Sequence, residues 1–308
     1  GCALIAMENY LEDTESSILN KDELDNFTVE HTNGRCNGCE NHCILTINKF
    51  SDGSRFITGN RCEKGAGGAQ HANKLPNLYE YKLQRLFGYK PISDFDAVRG
   101  TVAIPRVLNM YENYPFWFTF FSELKFKVML SPVSSKSIYE MGMETISSDT
   151  ACYPAKLVHG HIKWLVENGA KLIFYPCLNY ERNEDTTAPN HYNCPIVATY
   201  PEVIANNMDD IFAENMVRFV HPFLPYDNDL KLANVLHKEL EPFHIKKDEI
   251  MKAVTLARRE QVRFKNDVRK QGEYALKYAR QHDKKTIVLS GRPYHLDPEI
   301  NHGIDKMI

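Results

Sequence analysis

At 308 residues, with 43% hydrophobic and 25% charged residues and a formal net charge of −3, the sequence reads as a soluble globular protein with one large or two medium cores. That balance carries no general pull toward nucleic acid, and the longest apolar stretch, near residues 116–121, is too short to cross a membrane. Eight clustered cysteines, with no basic leader or cleavage pattern ahead of them, point to metal or redox use in a reducing cytoplasmic setting rather than to a disulfide scaffold. The first residue is not Met and the chain starts and stops abruptly, so a piece of a longer protein is expected.

Residues 1–30 are acidic and in part helical by pattern, with no chemistry to assign. The stretch NGRCNGCENHCILTINKFSDGSRFITGNRCEKGAGG follows. Cys36 and Cys39 form a CxxC knuckle, Cys43 comes after three residues and Cys62 closes the set. Between them ILTINKF and SRFITG flank Ser51, Asp52 and Gly53, a hairpin with its turn residues. A knuckle and a returning cysteine on so small a β unit make a four-thiolate site, since the hairpin cannot build a core alone. A closed four-cysteine hairpin suits zinc, and the CxxCxxxC run suits an iron–sulfur cluster; both stay open. His42 reads as a surface histidine, and the glycine-rich run at 65–68 as a linker, because no strand precedes it and no GK[ST] follows.

From Thr101 strands and helices alternate. TVAIP is a strand, and Pro115 is expected to open an aromatic helix, PFWFTFFSELKF, whose Trp117, Phe120, Phe121 and Leu124 share a core face. KVMLS is the second strand, with a helix near residues 136–143. Residues 147–194 then read as loop, helix, strand and loop, with cysteines at Cys152, Cys177 and Cys194. Pro154 suits a first helical turn, so Cys152 falls at the start of a helix over about 155–168, ended by Gly169. KLIFY is a buried parallel strand, and Cys177 lies just past it. Ligands of open α/β sheets gather beyond the carboxyl ends of strands and at helix amino termini, so two cysteines at that edge are the functional clue. PIVATYPEVI is expected to be a strand running into a helix, which would set Cys194 at the opposite sheet edge unless the loop over 178–193 returns it. VRFVHPFL is a further strand.

Residues 227–282 read as helices, and KKTIVLSGRPYHLDPEINHGID as a strand, glycine loop and helix opening a second lobe cut off at Ile308, with Arg292 placed to hold phosphate or to brace a turn. The expected class is therefore α/β: Rossmann-like, doubly wound parallel sheet lobes, a small N-terminal four-cysteine β-hairpin module and a helical connector. The divisions are 1–75 for the hairpin segment, 76–225 for the lobe, 226–283 for the connector and 284–308 for the start of the second lobe.

At IPRVLNMYENYPFWFTFFSEL, CYPAKLVHGHI, IFYPC, YNCPIVATYPEVI and SGRPYHLDPEIN the chain resembles the acyl-CoA dehydratase activase-related proteins, CoA-substrate-specific enzyme activases of anaerobic bacteria related to the 2-hydroxyacyl-CoA dehydratase system. The resemblance runs from about Cys36 to Ile308. It implies lobes similar to the iron–sulfur subunits of those dehydratases, whose cysteines hold a 4Fe-4S cluster. Cys152 and Cys177 match the first two ligand positions, and Cys194 is a candidate third. Lys156, His159 and His161 around them would tune the cluster or meet an anionic CoA group, although polar residues on an ordinary helix turn explain them too. The implied partners are an ATPase activase domain, a dehydratase- or reductase-like component and an acyl-CoA, with no nucleic acid and no membrane; the oligomeric state stays open. No P-loop or activase phosphate loop occurs in this chain, and no GxSxG supports a hydrolase. A non-catalytic, zinc-stapled scaffold that docks the ATPase part to its partner is the alternative.

Overall fold

The computed structural model describes residues 20–37, 42–59, 65 and 75–307. Gly1–Ala72 and Asn73–Ile308 form separate compact units. In the first, α1 (Lys21–Asp25) starts at Asn20, whose side chain accepts the Glu23 N–H while Glu23 caps the Asn20 N–H in return. Strand β1 (Val29–Arg35) pairs antiparallel with β2 (Ile44–Phe50), which pairs with β3 (Arg55–Thr58). The β2–β3 hairpin forms as expected. Its turn is tied by Asp52, which accepts from the Ser54 N–H at 2.8 Å and hydroxyl at 2.6 Å, and Gly53 supplies a φ of +84°. Strand β1 is an addition, on residues whose composition gave no strand pattern.

The second unit opens with α2 (Leu78–Phe87) and is built on four parallel strands: β4 (Thr101–Ile104), β5 (Lys127–Leu130), β6 (Leu172–Phe174) and β7 (Arg218–Val220). Their spatial order is β5-β4-β6-β7. The chain leaves the central β4 for β5 on one side and then crosses to β6 on the other. The carboxyl ends of β4 and β6 thus flank the point where strand order reverses, the usual crevice of such sheets.

Helices α3 (Met110–Glu123), α4 (Lys136–Gly142) and α5 (Tyr153–Glu167) connect the first three strands. The aromatic face of α3 is core, as its spacing indicates: Trp117 and Phe121 meet Phe174 of β6 at ring separations of 4.8 and 4.9 Å, and all three are buried. The helix nevertheless begins at Met110, not at Pro115, which lies inside it. Helices α4 and α5 cross so closely that a side chain at Gly160 would put its Cβ 1.7 Å from the Ile138 carbonyl oxygen, so only glycine fits there.

Two further expectations are corrected. Residues 195–204 are not a strand: α6 (Pro195–Asn207) is helical from its first residue, then α7 (Asp209–Glu214) leads to β7. The β-branched residues of PIV looked like a strand, but Pro195 in the first turn pre-sets a helical φ. Residues 284–290 form no strand either, and leave Ile287 and Val288 63% and 86% exposed. The following turn (Pro293–Leu296) and α10 (Pro298–Asn301), with α11 (Ile304–Met307) after them, belong to the same compact unit as the sheet.

Helix α8 (Asp229–Glu239) and the long α9 (Lys247–Gln281) belong to this unit too. Ile250, Val254, Ala257 and Phe264 of α9 are buried, Gln261 donates to the Glu112 carbonyl at 2.8 Å, and Arg85 of α2 binds Glu260 and Asp267 at 2.6 and 2.9 Å. No helix among the described residues is long and apolar enough to cross a membrane.

Candidate functional site at the carboxyl edge of the sheet

Cys152 and Cys194 occupy equivalent positions. Each is the residue before a helix, with extended angles of −64°, 153° and −65°, 154°, and a proline stands in the first turn that follows. Neither side chain caps its helix, so both thiols are left for other work. The helices run 15 and 13 residues, long enough for an amino terminus that favours an anion.

Tyr294 joins them. Its hydroxyl lies within electrostatic reach of Cys194 and Cys152; burial first, then these two thiols, hold it up to about 12. Cys152 acts in the same way on Tyr200, also raised to about 12, chiefly by burial. Tyr175, fully buried just past β6, is raised well above its usual range by burial and then by Cys177, Tyr200 and Cys194. Its hydroxyl has no hydrogen-bond partner among the described residues. The three cysteines and three tyrosines therefore cluster at the edge toward which the sheet's strands point.

Cys177 differs from the other two. It has no exposed surface, whereas Cys152 is exposed and Cys194 half-buried. Its N–H donates to Pro222 and its carbonyl accepts from Leu224, both at 3.0 Å, extending the β6–β7 pairing. Burial, then Glu202, push the thiol up to about 12, so it stays protonated. Among the described residues no three His, Cys, Asp or Glu side chains come together as a metal-holding group. Among the described residues the donor set offers two cysteine sulfurs with tyrosine hydroxyls around them, and does not close into a cage.

Tyr294 is delivered by a buried anchor. Asp297, 1% exposed, accepts from Tyr111 at 2.5 Å and from Ser134, and caps α10 through the Glu299 N–H at 2.9 Å. Burial raises its carboxyl, while the hydrogen bonds from Ser134 and Tyr111 pull the other way. Tyr153, beside Cys152, donates to Glu299 of α10 at 2.8 Å. Nothing in the sequence linked these segments, because the partners lie 186 positions apart for Tyr111–Asp297 and 146 for Tyr153–Glu299.

The four residues expected to contact a cofactor fall in different places. His159 and His161 have no exposed surface. His159 bridges Thr145 (2.8 Å) and Tyr200 (3.0 Å), and burial lowers it to about 4. His161 sits between Ser131 (2.8 Å) and Ser134 (2.9 Å), lowered to about 3 by burial and then by Arg106. Both are neutral, and both ring nitrogens are engaged inside the protein. Lys156 donates to the Asp149 carbonyl at 2.9 Å. Arg292 is exposed and lines a small cavity with Cys194 and Tyr294. In the first unit Cys36 donates its N–H to the Cys43 carbonyl at 2.9 Å, which sets these two residues opposite each other at the open end of the β1–β2 ladder. Cys39 and Cys62, the other expected ligands there, lie outside the described residues, as do Ala66, Gly67 and Gly68 of the glycine-rich run.

No curated protein and no solved structure matches the chain. A family described as the CoA enzyme activase uncharacterised domain matches residues 101–308, from the first parallel strand through the segment that carries Tyr294. That span is about two thirds of the sequence and contains the whole thiol–tyrosine cluster. The chain belongs to the CoA enzyme activase uncharacterised-domain family.

Proposed function

We propose that this chain is the thiolate-bearing redox component of a CoA-thioester activase system, holding an iron–sulfur group at the carboxyl edge of a Rossmann-like sheet. The observation that carries the reading is the equivalence of Cys152 and Cys194: two cysteines before two proline-started helices, both within reach of Tyr294. These two would be ligands. Cys177 is the candidate third, although its burial opposes the thiolate form. A bound cluster would supply one-electron transfer; the hydroxyls of Tyr294 and Tyr175 would donate hydrogen bonds toward the sulfurs, a known lever on cluster potential. The family's description supports a CoA-linked partner enzyme, and an ATPase activase domain and a dehydratase- or reductase-like component are the partners this reading requires. An acyl-CoA is the proposed substrate of that assembly.

The second reading, a zinc-stapled scaffold, draws on the N-terminal unit. There the Cys36–Cys43 backbone bond brings the first and third cysteines of the set to one end of a sheet with little core of its own. Anaerobic purification of wild type, Cys152→Ser/Cys194→Ser and Cys177→Ser, with iron, acid-labile sulfide and zinc measured per chain, separates the two. The redox reading expects iron and sulfide that fall in the double variant. Zinc alone, unchanged in both variants, would sink it in favour of the scaffold.

A further inference from the structure

Helix α9 carries its charges unevenly. Ile250, Ala253, Val254, Ala257, Gln261 and Phe264 bury one side of it. On the side turned away, Lys252, Arg259, Arg263, Lys270 and Lys277 are all exposed. At about 100° and about 1.5 Å per residue, the five fall within roughly 40° of one another and run about 37 Å along the helix. Their spacings of seven, four, seven and seven residues make one row rather than a broad patch.

The sequence does not announce such a row, since α9 also holds five acids and the whole chain has 40 acidic residues against 37 lysines and arginines. The fold takes three of those acids away. Glu249 pairs with Arg99 at 2.9 Å, and Glu260 and Asp267 pair with Arg85 at 2.6 and 2.9 Å. Of the five bases, only Arg263 meets a carboxylate among the described residues, Glu260 at 3.9 Å, and that group is already committed to Arg85. Asp248, in the first turn, and Glu273 are the exposed acids that remain. Exposed helix faces ordinarily intersperse both signs, because like charges in line repel. A row left uncompensated by its own protein is relieved by a complementary surface.

We infer that this row is a docking surface for an acidic α-helix of a partner protein, with carboxylates repeating along one face of that helix. Two helices laid side by side bring such charges opposite each other over their whole length. A row one side chain wide suits a rod better than the plane of an anionic bilayer. The net charge of −3 opposes a polyanion such as a nucleic acid, whose field acts on the whole molecule. The exposed apolar residues of α9, Val262, Tyr274 and Leu276, fall to either side of the row and give it no apolar seam. The contact is therefore electrostatic: fast to form, reversible and sensitive to salt. The surface stands whether or not Cys152 and Cys194 hold a metal.

The test is fluorescence anisotropy of the full chain with a labelled, stapled helical peptide, about four heptads long and alanine-based, bearing glutamates along one face. Saturable binding is expected at roughly 20 mM salt, weakening about tenfold or more by roughly 200 mM. A peptide of the same composition with its glutamates dispersed around the helix should bind about fivefold more weakly. The variant Lys252→Glu/Arg259→Glu/Lys270→Glu/Lys277→Glu should lose about tenfold or more in affinity for the one-faced peptide. Its melting temperature should stay within a few degrees of wild type, because all four side chains are exposed. Equal binding of the two peptides, absence of saturable binding, or unchanged binding to the charge-reversed chain would overturn the inference. So would tighter binding to phosphatidylserine vesicles or to a short DNA duplex than to the one-faced peptide. The preference of the wild-type chain between the two peptides decides the matter even if the variant does not fold. Metal content, measured in parallel, reports on the thiols separately.

Discussion

The two compact units hold together in different ways. In the three-stranded unit Leu45, at 8% exposure, is the one buried hydrophobic among the described residues, and Ile44 and Phe56 are 67% and 60% exposed. The α/β unit instead closes a continuous core on which Trp117, Phe121, Phe126, Ile173 and Phe174 are at most 1% exposed. A sheet whose described residues offer one apolar anchor gains little from their packing against its chain entropy. The larger unit depends on packing, and can therefore place polar groups inside itself and use them.

The hardest test of this contrast is metal removal. If the cysteines of the three-stranded unit hold the metal proposed for them, a strong chelator should dissolve that unit, since a structural four-cysteine site contributes on the order of 10 kcal/mol to a small module, while the α/β unit keeps its fold. Hydrogen exchange resolved by segment would show it; protection over residues 44–58 that survives the chelator would break the contrast. Next in size is Trp117→Ala, which should cost the α/β unit about 3–5 kcal/mol by opening a cavity against Phe174, and leave exchange over 44–58 unchanged.

Acid comes third. His159 and His161 are held neutral at about 4 and about 3, below the 6.5 of an exposed imidazole, so their neutral forms favour the folded state. Stability from each is complete above pH 6.5 and is lost as pH falls, by about 3 kcal/mol per histidine at pH 4. Asp297 and Glu181, whose carboxyls are raised, act with the opposite sign and offset part of that loss as they take up protons. Urea midpoints between pH 4 and 7 should drop steeply for the wild type and less for His159→Gln or His161→Gln; parallel profiles would refute the assignment. The smallest effect is local. Asp297→Ala should cost about 1–3 kcal/mol and raise exchange over residues 293–301, separating Tyr294 from Cys194.

Much of the sheet was legible in the chain. TVAI, KVML and LIF are short apolar runs between helical patterns, and period and length were enough to place them. The misreading at residues 195–204 is instructive, because the signature read correctly at Cys152, a cysteine with proline in the next turn, recurs at Cys194–Pro195 and was outweighed by β-branched residues. The KKTIVLS run failed for a different reason: its composition suits a strand, but no neighbouring strand pairs with it. Of the site, the cysteines could be found by inspection. Tyr294 and Asp297 could not, since what gives them meaning is a partner far away along the chain.

That separation has a consequence for how the protein is made. Tyr111 and Asp297 lie 186 residues apart. At translation rates of about 5–20 residues per second, the anchor for the Tyr294 segment emerges roughly 10–40 s after the helix it docks on. Cys152, Cys177 and Cys194 are all synthesised within that interval, before Tyr294, which comes within electrostatic reach of two of them. On the ribosome, the thiol edge is complete before Tyr294 arrives beside it.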